Sequence, residues 1–501
     1  MCLSGRAHKI GASILNHHIE DKIIKRLKKF VKRVFKKGDK KSHEENTKKV
    51  ATETYDAYKI PRSQHSISRN DIDDNALKVL YRLHNAGFRA LLVGGGVRDL
   101  LLGLKPKDFD ITTNATPEEV KALFRNCRLI GRRFRLAHIL FGREIIEVAT
   151  FRGHHDDDNG QDKQKVKQSQ GGMLLRDNVY GSLEEDAERR DFTVNALYYD
   201  IADYSIYDFC GGMQDLEQRN LTLIGDPEVR YREDPVRMLR AIRFAGKLDL
   251  EITEECAEPI RRLAPLLQDI PAARHFDEVI KLLLSGQGLD TYRLLKEYKL
   301  IQVLFPVLFK EGEDDKANSM IEQALKDSDQ RILEGKRVTP AYIYAIMLWY
   351  PVEQRAHAIS FESGMEYHDA FLLAMNEVLS IQVKTIAIPK RFTATIRDIW
   401  SLQLRLPRYG GKRAQRVFHH IKFRAAFDFL ELRAKVEQSQ ELAELTAWWQ
   451  EYQLHNELPQ HDHSRKRNNR STEQKPDDQN VAAKKPYKKR RYKKPAAKTS
   501  E

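Results

Sequence analysis

Two aspartates separated by one residue have the types and spacing best suited to catalysis: Asp108 and Asp110 flank Phe109. On an extended strand successive side chains alternate between faces, so the two carboxylates are predicted to share one face while Phe109 enters the core. Two carboxylates about 6.5–7 Å apart suit a shared divalent cation. Mg²⁺ in particular binds oxygen donors and takes further ligands from substrate phosphates. The pair therefore predicts a Mg²⁺ site for phosphate chemistry.

A glycine-rich turn at residues 93–99 precedes this pair. Glycine lets backbone N–H groups approach phosphates closely. The turn lacks the third glycine of a dinucleotide-binding fingerprint, because Asp99 occupies that position, and no Gly-Lys-Ser/Thr follows as in a P-loop. A strand at 88–93, a helix at 97–102 and a helix opened by residues 116–119 are expected around it. Together these elements predict metal-assisted nucleotidyl transfer.

Three segments carry a resemblance to a known family. Residues 91–103, followed by Asp-Phe-Asp, resemble the head of the class II nucleotidyltransferases, which include bacterial poly(A) polymerases and CCA-adding tRNA nucleotidyltransferases. Residues 188–197 are similar to the Arg-Arg-Asp-Phe-Thr motif of that family, and residues 232–244 to its Glu-Asp-x-x-Arg base-recognition helix. The resemblance extends from about residue 68 to about residue 449. It implies an α+β fold with a mixed-sheet head, an all-helical neck and body, and a disordered basic tail.

The resemblance also implies roles for individual residues. Catalysis is assigned to Asp108, Asp110 and Asp191, with the metal held by Asp108 and Asp110. Nucleotide binding is assigned to Gly95, Arg98, Arg190, Glu233, Asp234, Arg237 and Arg240. ATP is the implied substrate, and its triphosphate is expected to meet the glycine turn and Arg98.

Two of these assignments have alternatives. Glu147 is expected on a strand beside the aspartate pair, and strand geometry alone does not exclude it as the third carboxylate in place of Asp191. Residues 233, 237 and 240 share one face of a helix predicted around residue 235, at positions i, i+4 and i+7. Taken alone, Glu233 and Arg237 would be read as an ordinary surface ion pair worth tenths of a kcal/mol.

Residues 129–139 distinguish the two branches of the family. CCA-adding enzymes usually carry a Gly-Thr pair in this stretch, whereas this sequence resembles the pattern of bacterial poly(A) polymerases, as do residues 388–392 and 397–400 and the basic tail. The expected activity is template-independent addition of AMP from ATP to RNA 3′ ends, which promotes RNA processing and decay. The alternatives are a CCA-adding enzyme and a non-catalytic RNA-binding adaptor, and the intact aspartate pair argues against the adaptor.

Composition agrees with a polyanionic partner. The 501 residues carry a net charge of +14 and a pI near 9.3. Hydrophobic residues make up 41% of the chain, and no apolar run approaches the length of a membrane-spanning helix. Four scattered cysteines without a Cys-x-x-Cys pair favour a reducing cytoplasm over disulfides or zinc.

Domain boundaries are expected after residues 67, 205, 290 and 455. These divide a basic amphipathic N-terminal segment and linker (1–67), the catalytic head (68–205), the neck with the base-recognition helix (206–290), an RNA-binding helical body (291–455) and a disordered basic RNA-binding tail (456–501).

The two ends of the chain carry further expectations about partners. Residues 19–37 are predicted from their spacing to form a basic amphipathic helix that could lie on an anionic membrane, bind RNA or a partner such as an RNA-decay protein, or dock on its own body domain. The sequence leaves these readings open, as it does RNA preference and subunit number. In the tail, Tyr487 and Tyr492 stand among cations and could stack on RNA bases.

Overall fold

A computed structural model describes residues 55–131, 135–153, 179–310, 312 and 314–456. The helix predicted within residues 19–37 and the tail predicted from residue 456 lie outside these ranges, except for residue 456 itself. Contacts group the described residues from Ala57 onward into one compact unit. Across the described ranges no helix is both long enough and apolar enough to cross a bilayer.

The first half of the described chain contains an eight-stranded mixed sheet. Its strands are β1 Lys59–Ile60, β2 Ala90–Val93, β3 Asp110–Thr113, β4 Cys127–Ile130, β5 Leu136–Phe141, β6 Glu144–Thr150, β7 Leu197–Asp200 and β8 Ile206–Asp208. Their spatial order is β1-β8-β7-β2-β3-β6-β5-β4. Neighbours are antiparallel except for the parallel pair β3 and β6. The central strand β2 is buried at every position, as expected when a strand is covered on both faces.

The helices around this sheet begin at recognisable capping residues. They are α1 Asp74–Asn85, α2 Gly95–Leu101, α3 Pro117–Leu123, α4 Leu183–Glu188 and α5 Gly212–Gln218. Thr116 and Glu119 form a reciprocal capping box at the start of α3, which confirms the predicted helix start. Helix α2 begins two residues before its predicted start, because Gly94 at φ +75° turns the chain directly out of β2.

The second half of the described chain is helical, as predicted. The helices are α6 Pro227–Glu233, α7 Val236–Leu248, α8 Glu254–Leu263, α9 Ala272–Leu283, α10 Gly288–Glu297, α11 Leu300–Leu304, α12 Asp315–Leu333, α13 Pro340–Met347, α14 Trp349–Ser363, α15 Tyr367–Thr385, α16 Lys390–Gln403, α17 Gly411–Phe418, α18 Phe423–Glu437 and α19 Gln440–His455. One short parallel strand pair, β9 Asn220–Leu221 and β10 Glu251–Ile252, interrupts this pattern. The mixed-sheet head followed by helices confirms the α+β prediction.

Two hydrophobic clusters hold the described chain together. The larger one runs continuously from the sheet through the helices to α18 and includes the fully buried Trp349 and Trp400. The smaller one lies among the last four helices, around Phe418, Phe423 and Trp449. Because the larger cluster is continuous from sheet to helices, side chains from both can be held in fixed positions around one site.

Candidate active site

The aspartate pair lies at the start of β3. Asp110 is the first residue of the strand, whereas Asp108 precedes it, so the two do not both belong to a regular strand as predicted. Phe109 between them is partly buried and packs against the larger hydrophobic cluster, as predicted. Both carboxylates line a cleft of about 1120 Å³. Two further predicted or alternative site residues, Arg240 and Glu147, line the same cleft.

Strand register explains why these groups meet. Asp110 lies opposite Val93, the last residue of β2, in the antiparallel pair β2–β3. Asp110 also lies opposite Glu147 in the parallel pair β3–β6. Three features therefore meet at one edge of the sheet. They are the end of β2, which leads into the glycine turn, the aspartate pair, and Glu147.

The carboxylates at this edge repel one another. Burial is the main factor that raises the pKa of Asp110, to about 6, and the neighbouring Glu147 and Asp108 raise it further, while Arg190 opposes the shift. A bound cation would offset this repulsion, and the oxygen donors are of the type that Mg²⁺ prefers. Within the described ranges no three His, Cys, Asp or Glu side chains converge as a ready metal cage. The residues therefore fit a Mg²⁺ held by two carboxylates and completed by substrate oxygens.

The glycine turn is tightly packed against its neighbours. A Cβ atom built on Gly94 would lie 3.5 Å from Nη1 of Arg190, and one built on Gly96 would lie 3.3 Å from the carbonyl oxygen of Asp108. A Cβ on Gly95 would lie 3.4 Å from Nη2 of Arg98. The turn thus lies close to the predicted phosphate-binding arginines and to the loop that carries Asp108. Larger residues in the turn would hinder this close approach.

Arg98 and Arg190 are both held by carboxylates. Arg98 is only 3% exposed, donates from Nε to Asp99 at 2.9 Å and from Nη1 to the Asn195 amide oxygen, and lies over the Phe244 ring. These contacts occupy its guanidinium inside the protein, so its predicted contact with a triphosphate stays a prediction.

Arg190 lies closer to the aspartate edge. It donates to Asp186 at 3.0 Å and to the Tyr198 hydroxyl at 2.8 Å. It lies beside Gly94 and lowers the pKa of Asp110 by its charge. The structure therefore places Arg190 beside the glycine turn and within electrostatic reach of Asp110.

Asp191 and Glu147, the two candidates for a third carboxylate, have different surroundings. Burial alone would raise the pKa of Asp191, but Arg240, the Asn195 amide and the Phe192 N–H lower it to about 2. Nε of Arg240 donates to Asp191 at 2.7 Å, so the carboxylate is already engaged.

Glu147 is more open. Its side chain is 47% exposed, and its carboxylate lies 3.2 Å from Nε2 of His138 on the neighbouring strand. It is in register with Asp110, whereas Asp191 reaches the cleft through Arg240. The structure thus places Glu147 next to Asp110 at the edge of the sheet. Asp191 is instead connected to the cleft through Arg240, which lines it.

The helix predicted around residue 235 is interrupted. Helix α6 ends at Glu233, Asp234 is extended at φ −147°, and α7 starts at Val236. Pro235 causes the break, because a proline disfavours helical geometry in the residue before it. The prediction that residues 233, 237 and 240 share one continuous helix was therefore wrong.

The Glu233–Arg237 contact nevertheless forms across the break, and it is not a surface pair. Oε2 of Glu233 accepts from Arg237 at 2.9 Å and from Arg230 at 3.0 Å. The side chains of Glu233 and Arg237 are 22% and 13% exposed. Asp234 accepts from Arg274 at 2.7 Å. The residues predicted to read the base are thus fixed by ion pairs, of which those of Glu233 are largely buried.

Several residues of the site were missed by sequence reasoning. Arg230 joins the two motifs, because its Nη2 donates to the backbone carbonyls of Arg189 and Arg190 while its Nη1 binds Glu233. Its i, i+3 spacing from Glu233 was the only local signal. Four further cations line the cleft: Lys105, Lys107, Arg143 and Lys281. Their charge is visible in the sequence, but their convergence depends on tertiary packing.

A mixed-sheet head with paired carboxylates beside a glycine turn, followed by helices, defines the chain as a nucleotidyltransferase. Three family models match it: the poly A polymerase head domain over residues 90–222, the probable RNA and SrmB- binding site of polymerase A over residues 249–311, and the polymerase A arginine-rich C-terminus over residues 363–495.

Similar proteins fall on both branches of this class. The poly(A) polymerase I of Escherichia coli O6:H1 is 59% identical over 416 residues, which cover 82% of this chain and 89% of that protein. The CCA-adding enzyme of Bacillus pumilus is 35% identical over 246 residues, or 49% of this chain and 58% of that enzyme. The crystal structure of the Bacillus stearothermophilus CCA-adding enzyme with CTP is 25% identical, has a TM-score of 0.51 and covers 75% of this chain and 80% of that one. The chain belongs to the poly(A) polymerase family.

Proposed function

We propose that this chain adds AMP units from ATP to the 3′ ends of RNA without a template. One observation carries the proposal: an aspartate pair lines a cleft at the end of a glycine turn, in a chain 59% identical to a poly(A) polymerase I over most of its length. The similarity to CCA-adding enzymes is lower and covers about half of the chain. It supports the shared chemistry rather than the same product.

In this reaction the 3′-hydroxyl oxygen of RNA forms a bond to the α-phosphorus of ATP. The bond between that phosphorus and the bridging oxygen breaks, pyrophosphate leaves with the electron pair, and the hydroxyl proton passes to solvent. We assign Asp108 and Asp110 to hold Mg²⁺, which when bound compensates the negative charge of the reacting phosphate. The cleft cations Lys105, Arg143 and Lys281 supply further positive charge for the triphosphate and RNA.

Glu147 and Asp191, the two candidates for the third carboxylate, have surroundings that support different roles. The register of Glu147 with Asp110 supports a contribution to the carboxylate cluster at the reacting phosphate. The ion pair of Asp191 with Arg240 supports a contribution through Arg240, which lines the cleft and is placed to meet phosphate or ribose. Gly95, Arg98 and Arg190 remain our assignments for the triphosphate side of the nucleotide.

Base choice is assigned to Glu233, Asp234 and Arg237. The partly buried bond from Arg230 to Glu233 and the ion pair of Arg274 with Asp234 hold this group in one geometry. A fixed set of donors and acceptors rejects a base whose edge leaves a buried group unpaired, at a cost of about 1–3 kcal/mol. This property supports selection of adenine over cytosine and guanine.

Other parts of the chain are proposed to serve the same reaction. We retain the head, neck and body at 68–205, 206–290 and 291–455, with the tail from 456 as a non-specific RNA arm and the cytoplasm as the place of action. Contact of the N-terminal segment 1–67 with RNA-decay proteins or an anionic membrane stays a prediction, which vesicle and pull-down binding of the full chain would test.

The test of the main proposal uses the purified protein with RNA, Mg²⁺ and each nucleoside triphosphate separately. Long tails formed with ATP alone are expected. Addition of only C, C and A to a truncated tRNA would assign the chain to the CCA-adding branch instead. Binding of RNA without any nucleotide addition, in a protein shown to be folded, would favour the adaptor.

A further inference from the structure

We propose that the exposed ring of Tyr409, backed by Trp448 and Tyr452, is a stacking platform for unpaired bases of the RNA strand upstream of its 3′ end. We call these three side chains the Tyr409 platform. The proposal rests on the proposed function, because it takes RNA as the polymer substrate, and it deepens that function by naming where and how a single strand is held away from the cleft.

The platform is a series of ring contacts that ends at the surface. The Tyr409 and Trp448 ring centroids are 4.7 Å apart, and Trp448 is stacked on Tyr452 at 5.0 Å with an interplanar angle of 22°. Trp448 also meets the fully buried Trp449 edge to face at 4.9 Å. Tyr409 is the outermost member and is 48% exposed. An exposed aromatic ring fixed from behind offers a flat apolar surface at little cost in conformational entropy.

The loop that carries Tyr409 is anchored rather than loose. Nε1 of Trp449 donates to the carbonyl oxygen of Leu406 at 3.2 Å, and the side chain of Leu406 is fully buried in the smaller hydrophobic cluster. Beyond Tyr409 the chain turns through Gly410 and Gly411 at φ +142° and +48°, and α17 begins there. Glycine is required at Gly410, because larger residues adopt a φ of +142° only with strain.

Exposed cations flank Tyr409 in the sequence. Five occur within residues 405–416: Arg405, Arg408, Lys412, Arg413 and Arg416. The sequence from 399 to 427 contains no aspartate or glutamate. In the described part of the chain none of the five forms an ion pair, whereas Arg424 just beyond them is paired with Asp428 at 2.8 Å. The positive charge next to Tyr409 is therefore available to an external polyanion.

This combination identifies the ligand by its chemistry. Cations attract a phosphate backbone without regard to sequence, and an aromatic ring stacks on any base that is not already paired. Double-stranded RNA satisfies only the first requirement, because its bases are stacked within the helix. An acidic protein would also meet the cations but not the flat ring face. A single strand of RNA meets both requirements, the phosphate charge and the unpaired base. Adenine is a suitable base because, like every base, it presents a π face on which an aromatic ring can stack.

The test measures binding of the full chain, without ATP, to oligo(A) of about ten nucleotides and to an abasic oligomer with the same backbone. Tyr409→Ala is expected to weaken oligo(A) binding by about 5- to 100-fold, the range measured when one stacking aromatic is removed. The same variant should bind the abasic oligomer like the wild-type protein. Tyr409→Phe, which keeps the ring, should retain nearly full affinity for oligo(A).

A second variant separates charge from stacking. Arg408→Ala combined with Arg413→Ala should weaken both oligomers and reduce the salt slope of binding by about 0.7 for each lost phosphate contact. Thermal melting checks that all variants are folded. The proposal is overturned by unchanged oligo(A) binding in Tyr409→Ala, or by an equal loss on the abasic oligomer. The second result would place a non-stacking contact, such as a protein partner, on this surface.

Activity keeps this test distinct from that of the main proposal. With short single-stranded RNA as substrate, Tyr409→Ala should raise KM for RNA by a larger factor than it lowers kcat. A wild-type protein that adds no AMP would refute the proposed function yet leave the binding difference between oligo(A) and the abasic oligomer intact.

Discussion

The arginines around the cleft and the cations around the Tyr409 platform have opposite surroundings. Near the cleft, Arg98, Arg190, Arg237 and Arg240 each donate to a carboxylate at a fixed distance. In residues 405–416 the cations are exposed, and none of them forms an ion pair in the part of the chain that the structure describes.

This difference follows from the two kinds of ligand. A single nucleotide is recognised by groups already held in one geometry, because ordering them on binding would weaken affinity and selectivity. A polymer of changing length and sequence is held by mobile charge, since each phosphate adds a similar salt-dependent attraction. We therefore expect changes near the cleft to act on rate and base choice, and changes at the platform to act on RNA affinity.

The largest effect is expected at the aspartate pair. Asp108→Ala or Asp110→Ala should reduce AMP addition by at least about a hundredfold, because the carboxylates that would hold Mg²⁺ at the reacting phosphate are lost. RNA affinity should change little, since the platform and the tail are untouched. Initial rates and RNA binding measured on the same preparations, with folding checked by circular dichroism, decide this. Near-normal turnover in either variant would contradict the assigned role.

A smaller effect should distinguish the two candidates for the third carboxylate. Glu147→Gln removes a charge in register with Asp110 and should lower kcat and the apparent Mg²⁺ affinity by about 10- to 100-fold. Asp191→Asn weakens the hold on Arg240 and should mainly raise KM for ATP. Steady-state kinetics against ATP and Mg²⁺ test both variants. If Asp191→Asn instead shows the larger loss of kcat, Asp191 and not Glu147 belongs to the reacting cluster.

The sequence predicted the features that depend on local spacing. The aspartate pair, the glycine turn and the capping box of Thr116 and Glu119 are each encoded within a few residues, so their recognition needed no tertiary information. The α+β order and the helical second half followed from hydrophobic periodicity and from the family resemblance.

Long-range partners could not be predicted in this way. Asp191 and Arg240 are 49 residues apart, and Arg230 meets the carbonyls of Arg189 and Arg190 from about 40 residues away. Such contacts depend on how α6 and α7 pack against the sheet, which no local pattern specifies. Pro235 was a local signal for a helix break, but the prediction gave more weight to the i, i+4, i+7 spacing.

A more moderate effect is expected on base choice. Arg237→Ala leaves the partly buried Glu233 with one partner fewer, which costs about 1–2 kcal/mol, or about 5- to 30-fold in discrimination of ATP from CTP and GTP. The matched control is Arg232→Ala on α6, the helix that ends at Glu233, since Arg232 forms an i, i+4 pair with Glu228 near the surface. That pair should contribute only tenths of a kcal/mol. Competition assays of ATP against CTP or GTP measure the base selectivity of both variants. Equal selectivity of the two variants would mean that the Glu233–Arg237 contact has only a structural role.

The helical body contains a largely buried arginine whose surroundings differ from those of the cleft arginines and of the platform cations. It is distant in sequence from the motif residues. Nε of Arg433 pairs with Glu437 at 2.8 Å, its Nη2 lies 3.8 Å from Glu353, and its guanidinium lies over the Trp349 ring. Burial raises the pKa of Glu353 to about 7, with Glu437 adding repulsion and Arg433 opposing the shift. This network resembles the cleft in its fixed pairing but not in its assigned role, so its removal should affect stability alone.

The sign of that effect can be stated. Between its unfolded pKa near 4.5 and its folded pKa near 7, Glu353 binds more proton in the folded state, so its contribution to stability falls as pH rises through this range. Glu353→Gln imitates the protonated form at every pH. The variant should therefore exceed the wild-type protein in stability by less than about 1 kcal/mol at pH 5 and by about 3 kcal/mol at pH 8. Melting curves of both proteins at the two pH values measure this difference, with AMP addition and oligo(A) binding as controls that should not move. A variant less stable than wild type at pH 8 would show that the ionised Glu353 is a needed partner of Arg433, as the carboxylates of the cleft are for theirs.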